Sequence, residues 1–461
     1  MGVRRAQGSG EEQHATADAV WAQLPAPLML LVHGSPSRAG VGDIFLRALA
    51  DGAAPGQLVR YSTVYGHGDR SEQQWMSHGC FTTPIYRSRS VLGPWLAYWA
   101  NCQRGGQIAD EVDRVASSHD VCAVWAVLNR PVIISLVYAL MRRHGVPVLA
   151  HVWDTPDSLR ARMYLDPISA HRVMTQFGAV LKGALAVAVA SEPMRQAYLR
   201  RYGVDSVPII HGFARHEWRD EAMGVGSDEC RLAFAGSLYA RREWNALAQA
   251  LHQTGYVLDG HRIALHHIGT FPRLGARRPP TLVTHGRNSV GDTLALLRTM
   301  SLAYLPYWFD SRHAHAAMTS FPTKLSAYLA AGLPVLYHGP RGTAPDELMS
   351  RYPFGVACYS RKATDILDGL SRILSDNATV LRMRQARRAV LEEELGLHVM
   401  RHRFEQLLAS VSGAPRGRPC GSGPERQHGS GAGHSAIGTG ASGQSSNPQA
   451  RVEQSSFRTI G

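Results

Sequence analysis

The chain has 461 residues, 44% of them hydrophobic, enough for two domains of ordinary size with complete cores and a further tail. Its formal charge of +13 raises nucleic acid or an anionic membrane as partners. The arginines fall in short clusters (Arg200-Arg201, Arg241-Arg242, Arg277-Arg278) that no aromatic residues interleave, so nucleic acid is set aside and a membrane surface keeps more weight.

The six cysteines, Cys80, Cys102, Cys122, Cys230, Cys358 and Cys420, form no C-x-x-C pair and no paired spacing with histidine. This argues against a disulfide framework or zinc site and makes a reducing cytosol the expected compartment. No secretory signal is expected, because the first apolar run begins at Leu28 and has the character of a strand. Val121 to Met141 is long and apolar enough to raise a membrane span. Asn129, Arg130 and Pro131 interrupt it at the centre, where charge is expensive, so a strand, turn and helix are expected.

In chain order, residues 1–26 predict a mobile polar segment. Pro27–His33 is the first strand, followed by a loop carrying Gly40 and Gly42 and by a helix from about Ile44, the opening of a nucleotide-binding α/β unit. Residues 57–79 look irregular and loop-like. Strand and helix signals then alternate: Val121–Leu128, helix Pro131–Arg143, Val146–Val152, a helix near His171–Val180, Leu181–Ala190, helix Met194–Tyr202 and Val207–His211. Such alternation predicts a mostly parallel sheet spanning 27–214. A polar stretch, 215–228, is the expected linker.

Alternation restarts over 229–397 with strand Arg231–Ala235, helix Glu243–Gln253, strands His261–Ile268 and Val283–His285, helix Val290–Arg298 and strand Leu302–Tyr307. Helices Ala363–Leu374 and Val380–Leu395 follow. The apolar side of 398–411 (Phe404, Leu407, Leu408, Val411) predicts a last helix crossing back to the first domain. Residues 412–461 are rich in Gly, Ser, Pro and Gln and should be disordered. The fold class is therefore α/β, two Rossmann-like domains with a cleft between them.

The segment Ser320–His338, SFPTKLSAYLAAGLPVLYH, carries the most local information. Ser320 and Thr323 are candidate N-caps, and Pro322 suits a first helical turn. Leu325, Tyr328 and Leu329 recur at helical spacing. Gly332 suits a left-handed cap, Pro334 blocks continuation, and Val335–Tyr337 is a short buried strand. Lys324 would stand at the positive end of the helix, a natural place for a phosphate. Only Lys182, Lys324 and Lys362 are lysines among 49 basic residues, and a compact ammonium suits a phosphate.

This segment resembles the donor-site signature of GT-B glycosyltransferases, E-G-F-P-x-K-L-x-E-Y-L-A-A-G-x-P-V. Phe321, Pro322, Lys324, Leu325, Tyr328, Leu329, Ala330, Ala331, Gly332, Pro334 and Val335 match, whereas Thr319 and Ala327 stand where the family has glutamates that contact the donor sugar and the ribose. The resemblance implies transfer of a sugar from a nucleotide-diphosphate donor to a sugar, lipid-linked or small-molecule acceptor, with no cofactor and no bound metal. It also implies roles for further residues. Gly236, Ser237, Arg241 and Arg242 would approach the donor diphosphate, and Gly269 and Arg287 would lie near the nucleobase. His151 and Asp154, ending a first-domain strand, would face the transferred sugar, while Gly40 and Gly42 would form an acceptor or phosphate loop. His151 and Asp154 could instead simply cap the following helix, for which Asp154 or Thr155 is a plausible N-cap. The two missing glutamates keep open a catalytically silent nucleotide-binding protein, and a GT-B-fold epimerase is a further alternative.

Overall fold

A computed structural model describes residues 21, 24–34, 41–63, 76–79, 92–155, 165–219, 228–270, 278–375 and 377–412. The expected mobile start, Gly40, any helix capped by Asp154 or Thr155, most of the linker and the expected disordered tail lie outside them.

The first sheet is wholly parallel. Its strands are β1 (Leu28–Val32), β2 (Leu58–Ser62), β3 (His78–Gly79), β4 (Ala123–Val127), β5 (Val148–Val152), β6 (Ala186–Val189) and β7 (Val207–Pro208), in the order β3-β2-β1-β4-β5-β6-β7. β1, β4 and β5 are buried along their whole length, which is why they appear as unbroken apolar runs. The helices that join them are α1 (Val41–Ala50), α2 (Gly93–Ser118), α3 (Pro131–Ala139), α4 (Pro167–Gly183) and α5 (Glu192–Tyr202). Two have side-chain caps: Asp166 accepts from the Ile168 and Ser169 amides, and Ser191 accepts from Met194.

Several expectations need correction. The stretch 57–79 is not all loop, since it contains β2 and β3. The 26-residue α2 went unpredicted. Leu181 to Gly183 belong to the end of α4 rather than to a strand. The helix begun at Pro131 relaxes into a π-turn at Leu140–His144, stopped by Gly145 in the left-handed region.

The second sheet holds β8 (Glu229–Ala235), β9 (Val257–Leu258), β10 (His261–Ile268), β11 (Leu282–Thr284), β12 (Leu302–Pro306), β13 (Val335–His338) and β14 (Gly355–Cys358). The main order is β11-β10-β8-β12-β13-β14, all parallel, with β9 antiparallel to β10. Its helices are α6 (Arg241–Gln253), α7 (Val290–Leu297), α8 (Ala314–Thr319), α9 (Lys324–Ala330), α10 (Ala344–Arg351), α11 (Ala363–Ser375) and α12 (Asn377–Glu393). In strand order the second sheet repeats the doubly wound pattern of the first.

The chain then returns. Phe213 pairs with Gly396, its amide donating to the Leu395 carbonyl and its carbonyl accepting from Leu397. Beyond that crossing α13 (Leu397–Ser412) buries Met400, Phe404, Leu407, Leu408 and Val411 with Leu30, Trp125 and Leu149 of the first sheet. Two α/β sheets, a shared crossing and a returning helix define the GT-B architecture. Among the described residues, no helix is long and apolar enough to cross a membrane.

Candidate functional site

In open parallel sheets ligands lie beyond the carboxyl ends of the strands, where the order reverses. In the second sheet that point falls between β8 and β12. β8 runs into Gly236, which takes φ +82°, a conformation that disfavours a side chain. A Cβ there would stand 3.8 Å from the ammonium of Lys324. Gly269, after β10, crosses the Gly236 backbone so closely that a Cβ would meet its carbonyl oxygen at 3.1 Å. His267 Nε2 donates to the Gly236 carbonyl at 2.8 Å, and its ring stacks on Phe234. These glycines leave a bare backbone edge beside Lys324.

Lys324 is the unusual group. Its Nζ lies 4.2 Å from the centroid of Phe234 and 4.5 Å from that of Tyr239. The nitrogen is buried and, among the described residues, meets no hydrogen-bond partner. Burial lowers its pKa to about 7, because the charged form loses water and gains only two ring faces. A buried cation without an anion is an expensive arrangement, and a ligand's negative charge would relieve it. Tyr239, whose hydroxyl is also buried without a partner among the described residues, is held by Trp308, whose Nε1 donates to the Tyr239 carbonyl at 3.1 Å. Phe234 and Tyr239 were not singled out from sequence, although an aromatic stands on each side of Gly236 in FAGSLY.

The approach to α9 differs from the expected caps. The unpredicted α8 precedes it, and the Ser320 hydroxyl donates back to the Ala316 carbonyl at 2.6 Å, as Thr319 Oγ1 does to His315 at 2.7 Å. Thr323 has helical angles and makes no capping bond. Pro322 is buried just before the helix, where its carbonyl accepts from Leu325. Phe321 is half-buried against the second core, as is Ala327. Gly332 takes φ +90° and ends the helix. The Thr319 carbonyl accepts from Ser191 Oγ at 2.5 Å, so the hydroxyl that caps α5 also ties the first sheet to the segment leading to Lys324. A Ser-Glu-Pro after a strand was the available signal for that cap.

The remaining residues spread outward. Ser237 is exposed beside Gly236, and Arg241 and Arg242 are exposed in the first turn of α6, with Arg242 3.5 Å from Asp310. Arg287 is exposed after Gly286, which bridges to Gly269. His151 is fully buried rather than open to a cleft. Trp125 Nε1 donates to its Nδ1 at 3.3 Å, Phe45 and Trp153 pack edge-on against it, and its Nε2 meets no partner among the described residues. Burial pushes its pKa down to about 3, so it is neutral. Asp154 is half-buried at the end of the same strand. Gly42 serves Trp153, since a Cβ at Gly42 would meet that indole at 2.6 Å. Among the described residues, no three His, Cys, Asp or Glu side chains gather as a metal would require.

No protein-family model and no curated protein matches this chain. Solved structures do share its architecture, and they are GT-B glycosyltransferases. Anabaena HepE, solved in complex with UDP, is 13% identical with a TM-score of 0.59, covering 83% of this chain and 99% of its own. Sucrose-phosphate synthase from Thermosynechococcus elongatus is 14% identical with a TM-score of 0.60, covering 84% of this chain and 99% of its own. The UDP-forming trehalose-phosphate synthase from Burkholderia vietnamiensis is 12% identical with a TM-score of 0.59, covering 84% of this chain and all of its own. At such identities the likeness is one of fold, and the chain has the GT-B fold.

Proposed function

We propose that this protein is a glycosyltransferase that moves a sugar from a nucleotide-diphosphate donor, bound at the second sheet, to an acceptor on the side of the first. The observation that carries this reading is the unpartnered, buried Lys324 ammonium beside the bare backbone at Gly236. As the bond between the anomeric carbon and the diphosphate oxygen breaks, negative charge grows on the leaving group. A cation fixed in a dry aromatic frame stabilises that charge without reorganising. Arg241 and Arg242, exposed at the start of α6, are assigned to the outer phosphate oxygens, so charge neutralisation falls to side chains rather than to a divalent cation. Gly269 and Arg287 are assigned to the nucleobase side. His151, neutral and enclosed, acts by shaping the floor under the sugar and not by moving a proton, while Asp154 is left as the nearer carboxylate.

Because HepE is also solved with UDP-glucose, uridine nucleotides head the donor panel. Thermal shifts with UDP, GDP, ADP and TDP and their common sugars test the reading. A nucleotide at a hundred times its Kd should stabilise the protein by about 2.7 kcal/mol. Lys324→Ala should weaken the best of them by about 1.5–3 kcal/mol, the scale of a hydrogen bond to a charged group. Undiminished affinity in a folded variant would remove Lys324 from the site.

One feature favours a second reading, a GT-B protein that binds a nucleotide without turnover. Both glutamate positions of the signature are structurally occupied: Thr319 has its hydroxyl and carbonyl engaged, and Ala327 packs into the core. Tight nucleotide binding without release of diphosphate from any sugar donor, across an acceptor panel, would select it.

A further inference from the structure

Three loops leave the carboxyl edge of the second sheet side by side. Pro306, His338 and Cys358 stand in register as the last residues of β12, β13 and β14, and three residues beyond each come Phe309, Arg341 and Arg361. Neighbouring strands lie about 5 Å apart, so the two arginines spring from adjacent strand ends. Their loops are fastened to one another. His338 Nε2 donates to the Ser360 carbonyl at 2.8 Å, and the Gly339 amide to the Cys358 carbonyl at 3.1 Å.

Both arginines are exposed, yet each rests on a ring. The Arg341 guanidinium lies 3.8 Å from the centroid of Tyr359, and that of Arg361 lies 5.9 Å from the centroid of Phe309. Tyr359 is itself fixed, its hydroxyl donating to Asp346 Oδ1 at 2.7 Å while Asp346 Oδ2 accepts from the Gly342 amide at 2.7 Å. A ring face orients a guanidinium without using its N–H donors. Among the described residues neither arginine has an ion-pair or hydrogen-bond partner, whereas nearby Arg312 and Arg242 share Asp310 at 2.7 and 3.5 Å.

We propose that Arg341 and Arg361 form an anion site, separate from the one at Lys324, that takes a phosphate group carried by the acceptor. The anion site stands on the arginines alone; its assignment to the acceptor rests on the glycosyltransferase reading above. Charge chooses the ligand. Two oriented, unpaired forks call for a dianion, and a phosphate monoester is close to doubly charged at neutral pH and offers three acceptor oxygens. A carboxylate would satisfy one fork and leave the other. Position chooses the role. The β13 end lies two strands, about 10 Å along the edge, from Gly236 on β8. That interval leaves room for a sugar between an anion at Lys324 and an anion at the arginines.

Calorimetry on the full-length chain tests the site with two matched pairs of probes, glucose 6-phosphate against glucose and farnesyl diphosphate against farnesol. One phosphorylated probe should bind at least about tenfold tighter than its unphosphorylated counterpart, and which pair responds separates a soluble acceptor from a lipid-linked one. The Arg341→Gln, Arg361→Gln double variant should lose at least about tenfold in affinity for that probe while keeping its melting temperature and its affinity for UDP. Lys324→Ala should do the reverse, weakening UDP and leaving the phosphorylated probe within about twofold, so failure of the nucleotide reading and failure of this one are told apart. Equal binding of phosphorylated and unphosphorylated probes, or full retention of the phosphorylated probe by the double variant, would overturn the proposal. So would an equal loss of UDP affinity in the double variant, since the arginines would then belong to the donor.

Discussion

Lys324 is the residue at which the fold and the chemistry pull apart. Its folded pKa of about 7 lies below that of an unfolded lysine, so between roughly pH 7 and 10.4 the unfolded chain binds the extra proton. Stability from this group therefore rises with pH across that window, and below it the folded protein carries the full cost of a buried cation. Lys324→Met removes that cost. Denaturant melts should show the methionine variant more stable at pH 6–7, with the gap closing toward pH 10 by on the order of 1.4 kcal/mol for each pH unit crossed. A gap that does not move with pH would mean the ammonium is solvated. The same proton couples to ligand binding. At pH 8 the free lysine is mostly neutral, so a diphosphate must draw in a proton to be paired. Calorimetry in two buffers of different ionisation enthalpy should read an uptake approaching one proton per nucleotide.

At the scale of elements, the crossing of 212–213 with 395–397 depends on a missing side chain. A Cβ on Gly212 would lie 2.5 Å from the Gly396 carbonyl carbon and oxygen and 2.7 Å from the Leu397 nitrogen. All three are backbone atoms, so neither strand can yield without breaking the bonds at Phe213. Gly212→Ala should cost about 1–3 kcal/mol, the usual scale of overpacking, and should speed amide exchange at Phe213 and Leu397. Unchanged melting and exchange would show that the crossing gives way freely. Such tight contacts leave no trace in a hydrophobic pattern, which governs what sequence reveals. His261–Ile268 and Leu302–Pro306 were legible because each contains a run of apolar residues that the sheet buries, Ile263–Leu265 in the first and the whole of the second. β2 was hidden by Arg60, which interrupts its apolar run. α2 was hidden because its apolar residues change face midway, so no single period describes it. At the site, the pairing of Lys324 with Gly236 was within reach, because the signature and the strand end each mark a residue. The back-bonded hydroxyls of Thr319 and Ser320 were not, because the short alanine-rich α8 that they join has too few apolar residues to announce itself. Nor was the enclosure of His151, which depends on Phe45 of α1 and Trp125 of β4 arriving from elements far apart in the chain.

For the whole molecule, α13 is the fastening that carries the chain from the second sheet back onto the core of the first. Phe404 lies 4.6 Å from Trp125 of β4 and 6.0 Å from Trp21, ring centroid to centroid. Arg403, one residue earlier, has Nη1 donating to the Pro208 carbonyl of β7 and Nη2 to Glu394 at 2.6 Å, so one side chain joins β7 to the segment that follows α12. Burial would raise the Glu394 pKa, but bonds from Arg403 and Arg351 hold it below the ordinary value. These contacts follow the last described strand, β14, and close the first core from behind. Phe404→Ala should therefore cost about 3–5 kcal/mol, as removal of a fully packed aromatic does. The loss should fall on the first sheet, with amide exchange rising in β4 and β6 before β8 and β10. Deleting residues 413–461, whose composition offers almost nothing to bury, should leave melting temperature and nucleotide-induced stabilisation unchanged. Melts and exchange on the two proteins side by side separate a structural helix from a dispensable tail. A Phe404→Ala protein that melts with the wild type would show that the first domain closes without α13.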